Sequence, residues 1–82
     1  MTRHEVVSPI PGVFYRRPEP DSPEYVTAGQ QVAAGDTVGL VEVMKSFHPV
    51  EADVAGTVVE YAVEADDLVD AGQAVVILEV GS

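Results

Sequence analysis

The chain contains no cysteine and no tryptophan, and Lys45 is its only lysine. Without cysteine there is no disulfide, no thiolate nucleophile and no thiolate metal site, so packing alone must hold the 82 residues together. At this size only about two-thirds of the unfolded chain's surface can be buried, which allows a single domain, 1–82, with one small core. Positive charge is scarce as well. Four Lys and Arg stand against 14 Asp and Glu, a formal net charge of −10, and a surface of that sign repels nucleic acid. No Lys or Arg follows Ser46, while Glu51, Asp53, Glu60, Glu64, Asp66, Asp67, Asp70 and Glu79 accumulate there as a solvated acidic face. The first residues form no apolar run of signal-peptide length, and nowhere does the chain approach the roughly 20 apolar residues of a membrane helix. A cytoplasmic protein is the expectation. Finally, no segment keeps a 3.6-residue apolar period, so little or no helix is expected.

What the chain has in abundance is valine, 17 residues, followed by alanine, nine. Valine's branched Cβ suits a pleated surface, and the composition favours strands. The chain also repeats itself. Gly35-Asp36-Thr37-Val38-Gly39-Leu40-Val41-Glu42-Val43 aligns with Gly72-Gln73-Ala74-Val75-Val76-Ile77-Leu78-Glu79-Val80 at an offset of 37. Pro11-Gly12-Val13-Phe14-Tyr15 aligns with Ala55-Gly56-Thr57-Val58-Val59 at an offset of 44. Each half is a short strand, a polar segment, a glycine turn and a second strand. Strands are expected at about 5–10, 13–15, 37–43, 47–53, 57–61 and 74–80, with weaker ones at 31–32 and 68–69. The expected fold is all-β: a flattened barrel or sandwich of two small antiparallel sheets with pseudo-twofold symmetry and a core over about 5–80. The extra seven residues of the first half fall in Arg16-Arg17-Pro18-Glu19-Pro20-Asp21-Ser22-Pro23-Glu24. Three prolines exclude a strand interior there, so 16–24 is expected to project as a stiff loop with few buried contacts.

Lys45 lies between two expected strands. If they pair, Met44 and Lys45 form the centre of a tight hairpin of the mirror type that matches strand twist, and the amine sits at its tip. Neither residue is Gly, Asn or Asp, so the turn carries some strain, as functional sites often do.

These features together resemble a family. Val41-Glu42-Val43-Met44-Lys45, the duplicated halves and Gly35-Asp36 ahead of the lysine are similar to the biotinyl and lipoyl carrier domains, over about residues 8–80. Met44 before the lysine is similar to the biotin branch; lipoyl domains usually present an acidic residue there. Ser8-Pro9-Ile10-Pro11-Gly12-Val13-Phe14-Tyr15-Arg16 with Pro18-Glu19-Pro20-Asp21 resembles more narrowly the biotin carboxyl carriers of bacterial acetyl-CoA carboxylase, where an inserted thumb lies over the biotin. The resemblance implies a non-catalytic carrier with biotin joined to Lys45, flanked by Val43, Met44 and Ser46 and covered by Pro18, Glu19, Pro20 and Asp21. It implies three partners as well: a biotin carboxylase subunit, a carboxyltransferase subunit and a biotin protein ligase, serving fatty acid biosynthesis. Two departures stand out. Val43 and Ser46 replace the outer residues of the family's Ala-Met-Lys-Met, and only residues 1–7 precede the pattern, where the bacterial carriers have a long flexible segment and an assembly region. Two other readings are a lipoyl carrier and an unmodified assembly module of the same fold.

No other chemistry competes. His4 and His48 have no metal-like partner pattern, Ser46 lacks the glycines of a nucleophile elbow, and neither a P-loop nor a dinucleotide fingerprint occurs. Asp66-Asp67 reads as part of a loop.

Overall fold

Wherever valines alternate with polar residues between glycine or proline punctuation, a strand forms. A computed structural model describes residues 2–19 and 21–81. Its strands are β1 (Thr2–Val7), β2 (Gly12–Tyr15), β3 (Gln31–Val32), β4 (Thr37–Val43), β5 (Ser46–Glu51), β6 (Gly56–Tyr61), β7 (Leu68–Val69) and β8 (Ala74–Val80), with no helix among the described residues. Two four-stranded antiparallel sheets result, in the orders β1-β8-β6-β3 and β5-β4-β2-β7. The expected all-β sandwich is therefore what forms. Its halves are interleaved: β1 to β4 correspond to β5 to β8, and each half gives two strands to each sheet.

The equivalence extends to single hydrogen bonds. Ala52 N–H donates to Asp36 O and Gly35 N–H to Ala52 O; at the equivalent positions Ser8 N–H donates to Gln73 O and Gly72 N–H to Ser8 O. The Asp36 carboxylate accepts from Ala33 N–H as Gln73 Oε1 accepts from Asp70 N–H. Such side-chain bonds fix the polar turns that carry the chain between sheets.

Inward-facing residues of both sheets meet in one core of Val6, Phe14, Val26, Val32, Val38, Val41, Val50, Ala52, Val58, Val69, Val75, Val76 and Leu78. Valine suits this thin sandwich because its single favoured rotamer loses little entropy on burial. The one large ring is accommodated by a local exchange of volume. Phe14 stands where the second half has Val58, and Gly39 stands where it has Val76; a Cβ on Gly39 would lie 2.5 Å from two Phe14 ring carbons. The glycine makes room for the ring.

The first strand departs from the sequence expectation of 5–10. It runs three residues earlier because Pro9 and Pro11 cannot donate to a ladder, and the Ser8 hydroxyl instead closes a turn on Ile10 O at 2.6 Å. The two seven-residue strands fall where the repeat places them, at Thr37–Val43 and Ala74–Val80.

Candidate functional site

Strands β4 and β5 pair up to Val43 opposite Ser46, leaving Met44 and Lys45 as a two-residue loop. Both have positive φ, 49° and 68°, the pair of left-handed residues that defines the type I′ turn. This is the expected turn without its usual glycine or asparagine, at a cost of about 1–2 kcal/mol per left-handed residue. Met44 is 92% exposed and covers nothing, so packing does not repay that cost. Lys45 is exposed too, and among the described residues no carboxylate lies within ion-pair distance of it. The strained turn therefore places at the hairpin's apex an amine with no ion-pair partner among the described residues.

Beside the hairpin, the outer face of its sheet forms the floor of a cleft of about 420 Å³, a volume typical of small-ligand sites. Tyr15, Leu40 and Phe47 of the sheet line it, together with Arg16, Arg17, Pro18 and Glu19 of the projecting loop and Ala65 and Asp66 of the segment after β6. Phe47 begins two residues beyond Lys45 and is 57% exposed, with its ring 6.3 Å from that of Tyr15. The Tyr15 hydroxyl donates to Glu42 Oε1 at 2.8 Å, and this bond to a carboxylate, with partial desolvation, raises the phenol above its usual pKa of 10.0. Glu42 is thus oriented toward the cleft side of the sheet.

Of the residues expected at the site, Lys45, Met44, Val43 and Ser46 come together at the hairpin, and Pro18 and Glu19 line the cleft. Asp21 is exposed and is not among the lining residues. Pro20 lies outside the described residues. The projecting loop is also more firmly attached than its composition implies. Arg16, expected to be part of a loop with few buried contacts, is partly buried, donates to Val63 O at 2.8 Å and lies 4.5 Å over the Tyr61 ring.

Tyr15, Leu40, Phe47, Ala65 and Asp66 were not expected in the site, whereas Arg16 and Arg17 belong to the loop expected to project at 16–24. The repeat contained a signal for two of them, Phe47 and Asp66. Across the hairpin's sheet the outward row reads Leu68, Val13, Glu42, Phe47; across the other sheet the equivalent row reads Gln31, Thr57, Glu79, Arg3. Equivalent surfaces differ in polarity at three of four places. Asp66, with φ 70°, likewise occupies the position of Gly29, with φ 90°.

The two histidines prove to be pseudo-equivalent. His4 Nε2 lies 2.8 and 3.0 Å from the Asp53 carboxylate oxygens, tying β1 to the turn after β5, and that hydrogen bond holds the Asp53 carboxyl below its usual pKa. Position 9, equivalent to Asp53, is a proline, which offers His48 no such partner. Among the described residues no group of three His, Cys, Asp or Glu could hold a metal ion, and no helix could cross a membrane.

An all-β sandwich of interleaved halves that displays one free lysine on a type I′ turn is the architecture of a carrier domain. The model of the family described as "Biotin-requiring enzyme" matches residues 4–78, and the chain belongs to that family. The chain is 38% identical over 74 residues to the biotin carboxyl carrier protein of acetyl-CoA carboxylase of Pyropia yezoensis, covering 90% of this chain and 47% of that protein. To the protein of the same description from Haemophilus influenzae it is 35% identical over 79 residues, covering 96% of this chain and 51% of that one. The chain thus spans about half the length of these curated relatives. Among solved structures, the urea carboxylase of Kluyveromyces lactis superposes with a TM-score of 0.79 at 26% identity, over 96% of this chain and 6% of that one.

Proposed function

We propose that this domain is a biotin carboxyl carrier in which biotin is joined to Lys45 and shuttles between the two active sites of an acyl-CoA carboxylase, the acetyl-CoA type. The observation that carries the reading is the exposed, unpaired amine of Lys45 at the apex of a two-residue turn. An amine so placed enters a ligase pocket without unfolding the carrier. There a biotin protein ligase, using ATP, joins the biotin carboxyl to Lys45 Nζ as an amide, and the lysine's charge is lost. Bound biotin supplies the ureido nitrogen that takes up and gives up a carboxyl group. The chain's own residues supply a tether, a rigid apex and a cleft; none acts as acid or base on the reacting centre. A short tether keeps the cargo at an effective concentration of about millimolar near each partner, here a biotin carboxylase and a carboxyltransferase.

The cleft fits such an arm. The ring and aliphatic side chains of Tyr15, Leu40 and Phe47 line it, it begins two residues from Lys45, and Pro18 and Glu19 line it from the projecting loop. We assign these two residues, with Val43, Met44 and Ser46 of the hairpin, to presenting and covering the cofactor.

Co-expression with a biotin ligase should add one biotin per chain by intact mass, and Lys45→Arg should abolish it. A parent chain that gains no mass under those conditions, or that takes lipoate from a lipoate ligase in preference to biotin, refutes the reading.

A further inference from the structure

The two halves match hydrogen bond for hydrogen bond over most of the molecule, and the places where they differ mark what the first half adds. At position 60 of the second half is a glutamate whose partner, Arg3, is 3.7 Å away on the surface. Its first-half equivalent, Arg16, meets four groups: Val63 O, Glu64, Glu24 and the Tyr61 ring. One guanidinium nitrogen donates to Val63 O at 2.8 Å and lies 3.6 Å from the Glu64 carboxylate; the other lies 3.6 Å from Glu24 at the far end of the proline loop. The guanidinium plane covers the Tyr61 ring at 4.5 Å, and the ring's hydroxyl in turn donates to Val38 O. On the main chain, Arg16 O accepts from Tyr25 N–H at 2.8 Å and closes the loop at its base.

We propose that Arg16 is the positioning residue of the cleft: it clamps both walls, the proline loop through Glu24 and the segment 63–66 through Val63 O and Glu64, onto the Tyr61 ring. The planar fork of arginine is what the arrangement requires, since one hydrogen bond, two ion pairs in different directions and one face over a ring are used at once. Arg16 Nε is buried with no partner among the described residues, so the side chain is placed for its terminal nitrogens and its face even though this atom goes unsatisfied. Arg17 does not share the work. It is 44% exposed, and among the described residues its one ion pair is with Glu24, at 3.7 Å. The walls therefore stand at a set height above Tyr15, Leu40 and Phe47 before any cofactor arrives, and the inference that this height serves a biotin arm rests on the function proposed above.

The test is backbone relaxation by NMR on the full chain without biotin, so that its outcome is independent of attachment chemistry, which intact mass reads separately. In the parent, loop amides of residues 17–24 should show order parameters near 0.85, the value of rigid backbone. In Arg16→Gln they should fall below about 0.6 while β4, β6 and β8 keep their parent values, and amides 63–66 should loosen with them. In Arg16→Lys, which keeps the charge and loses the fork, an intermediate loss is expected. In Arg17→Gln no change is expected. A loop as rigid in Arg16→Gln as in the parent overturns the proposal, as does an Arg16→Gln chain that unfolds, because Arg16 would then be holding the core rather than the walls. The double variant Glu24→Gln with Glu64→Gln leaves the core contacts of Arg16 intact, and unchanged order in 17–24 and 63–66 there would also count against the clamp. In the biotinylated chain, Arg16→Gln should sharpen the ureido N–H signals by freeing the arm, without altering the extent of biotinylation.

Discussion

Replacing Met44 by asparagine should make the domain more stable, although asparagine is smaller, more polar and no better a strand former. The argument is conformational. Met44 has φ 49°, a left-handed conformation that costs an ordinary residue about 1–2 kcal/mol and that asparagine adopts with local hydrogen bonding. Because the methionine side chain is 92% exposed, its loss forfeits almost no burial to set against that gain. A net stabilisation of about 0.5–1 kcal/mol is expected, which for a domain of this size raises Tm by about 2–8 °C. Urea denaturation followed by far-UV circular dichroism gives the free energy directly, with an unchanged m-value showing that the denatured state is the same. Since asparagine preserves the turn, Lys45 should still accept biotin, as read by intact mass. A variant equal to or weaker than the parent, at constant m, would refute the claim that Met44 is strained. A variant that is more stable but no longer modified would show that the methionine side chain itself, rather than the shape of the turn, presents the lysine.

Two further outcomes follow from the packing and from the histidine pair. Gly39→Val should be destabilising by about 1–3 kcal/mol through overlap with Phe14, and Phe14→Val by about 2–4 kcal/mol through the void it leaves. The double variant copies Val58 and Val76 of the second half, so it should recover at least about 1 kcal/mol of the summed loss; additive losses in a denaturation cycle would show that ring and glycine do not compensate. Asp53→Asn should cost about 0.2–1 kcal/mol at neutral pH, the scale of an exposed polar side-chain pair. Asp53 is the depressed-pKa case, so its contribution is complete above the unfolded carboxylate value of about 3.9 and is lost as pH falls through the lower folded value. Parent and variant should therefore converge in urea melts as pH falls below the folded value, and a gap that survives full protonation of the carboxyl would be inconsistent with this origin.

Much of the architecture was legible because the chain states it twice. The offset of 37 located β4 and β8 to the residue, since seven apolar-rich positions bounded by Gly35 or Gly72 leave no freedom of register. The hairpin was legible from Lys45's place between two strand patterns, even though Met44 and Lys45 are poor turn residues. The bounds of β1 were not, because Val6, Val7 and Ile10 look continuous until the missing N–H groups of Pro9 and Pro11 are counted. Nor was the clamp. Arg16 and Val63 are 47 residues apart and meet only because the interleaved topology brings the end of β2 against the segment after β6. The cleft floor was half-visible. Tyr15, Leu40 and Phe47 are ordinary outward strand residues in isolation; comparison with the other half distinguishes Phe47, whose counterpart is Arg3, but not Tyr15 and Leu40, whose counterparts Val59 and Ile77 are apolar as well. Asp21 was expected over the cofactor from the resemblance of its stretch to the family's thumb; it is exposed and does not line the cleft, and the turn there, Ser22 N–H to Glu19 O, is not encoded by composition.

The interleaving of the halves carries a consequence of its own. Each half contributes two strands to each sheet, so the contact between them is isologous, the self-complementary kind that a half-length chain makes as a homodimer. Such a dimer would bear two identical outer faces, bound to change together with every substitution. Covalent fusion removes that bond of identity. One face then remains polar, with Gln31, Thr57 and Arg3, while its counterpart takes on Leu68, Val13 and Phe47, and a glutamate at one position becomes the arginine at the other. Asymmetry of cargo handling is in this sense inherited from a symmetric scaffold: the shared interior preserves the fold, and the exteriors are free to diverge.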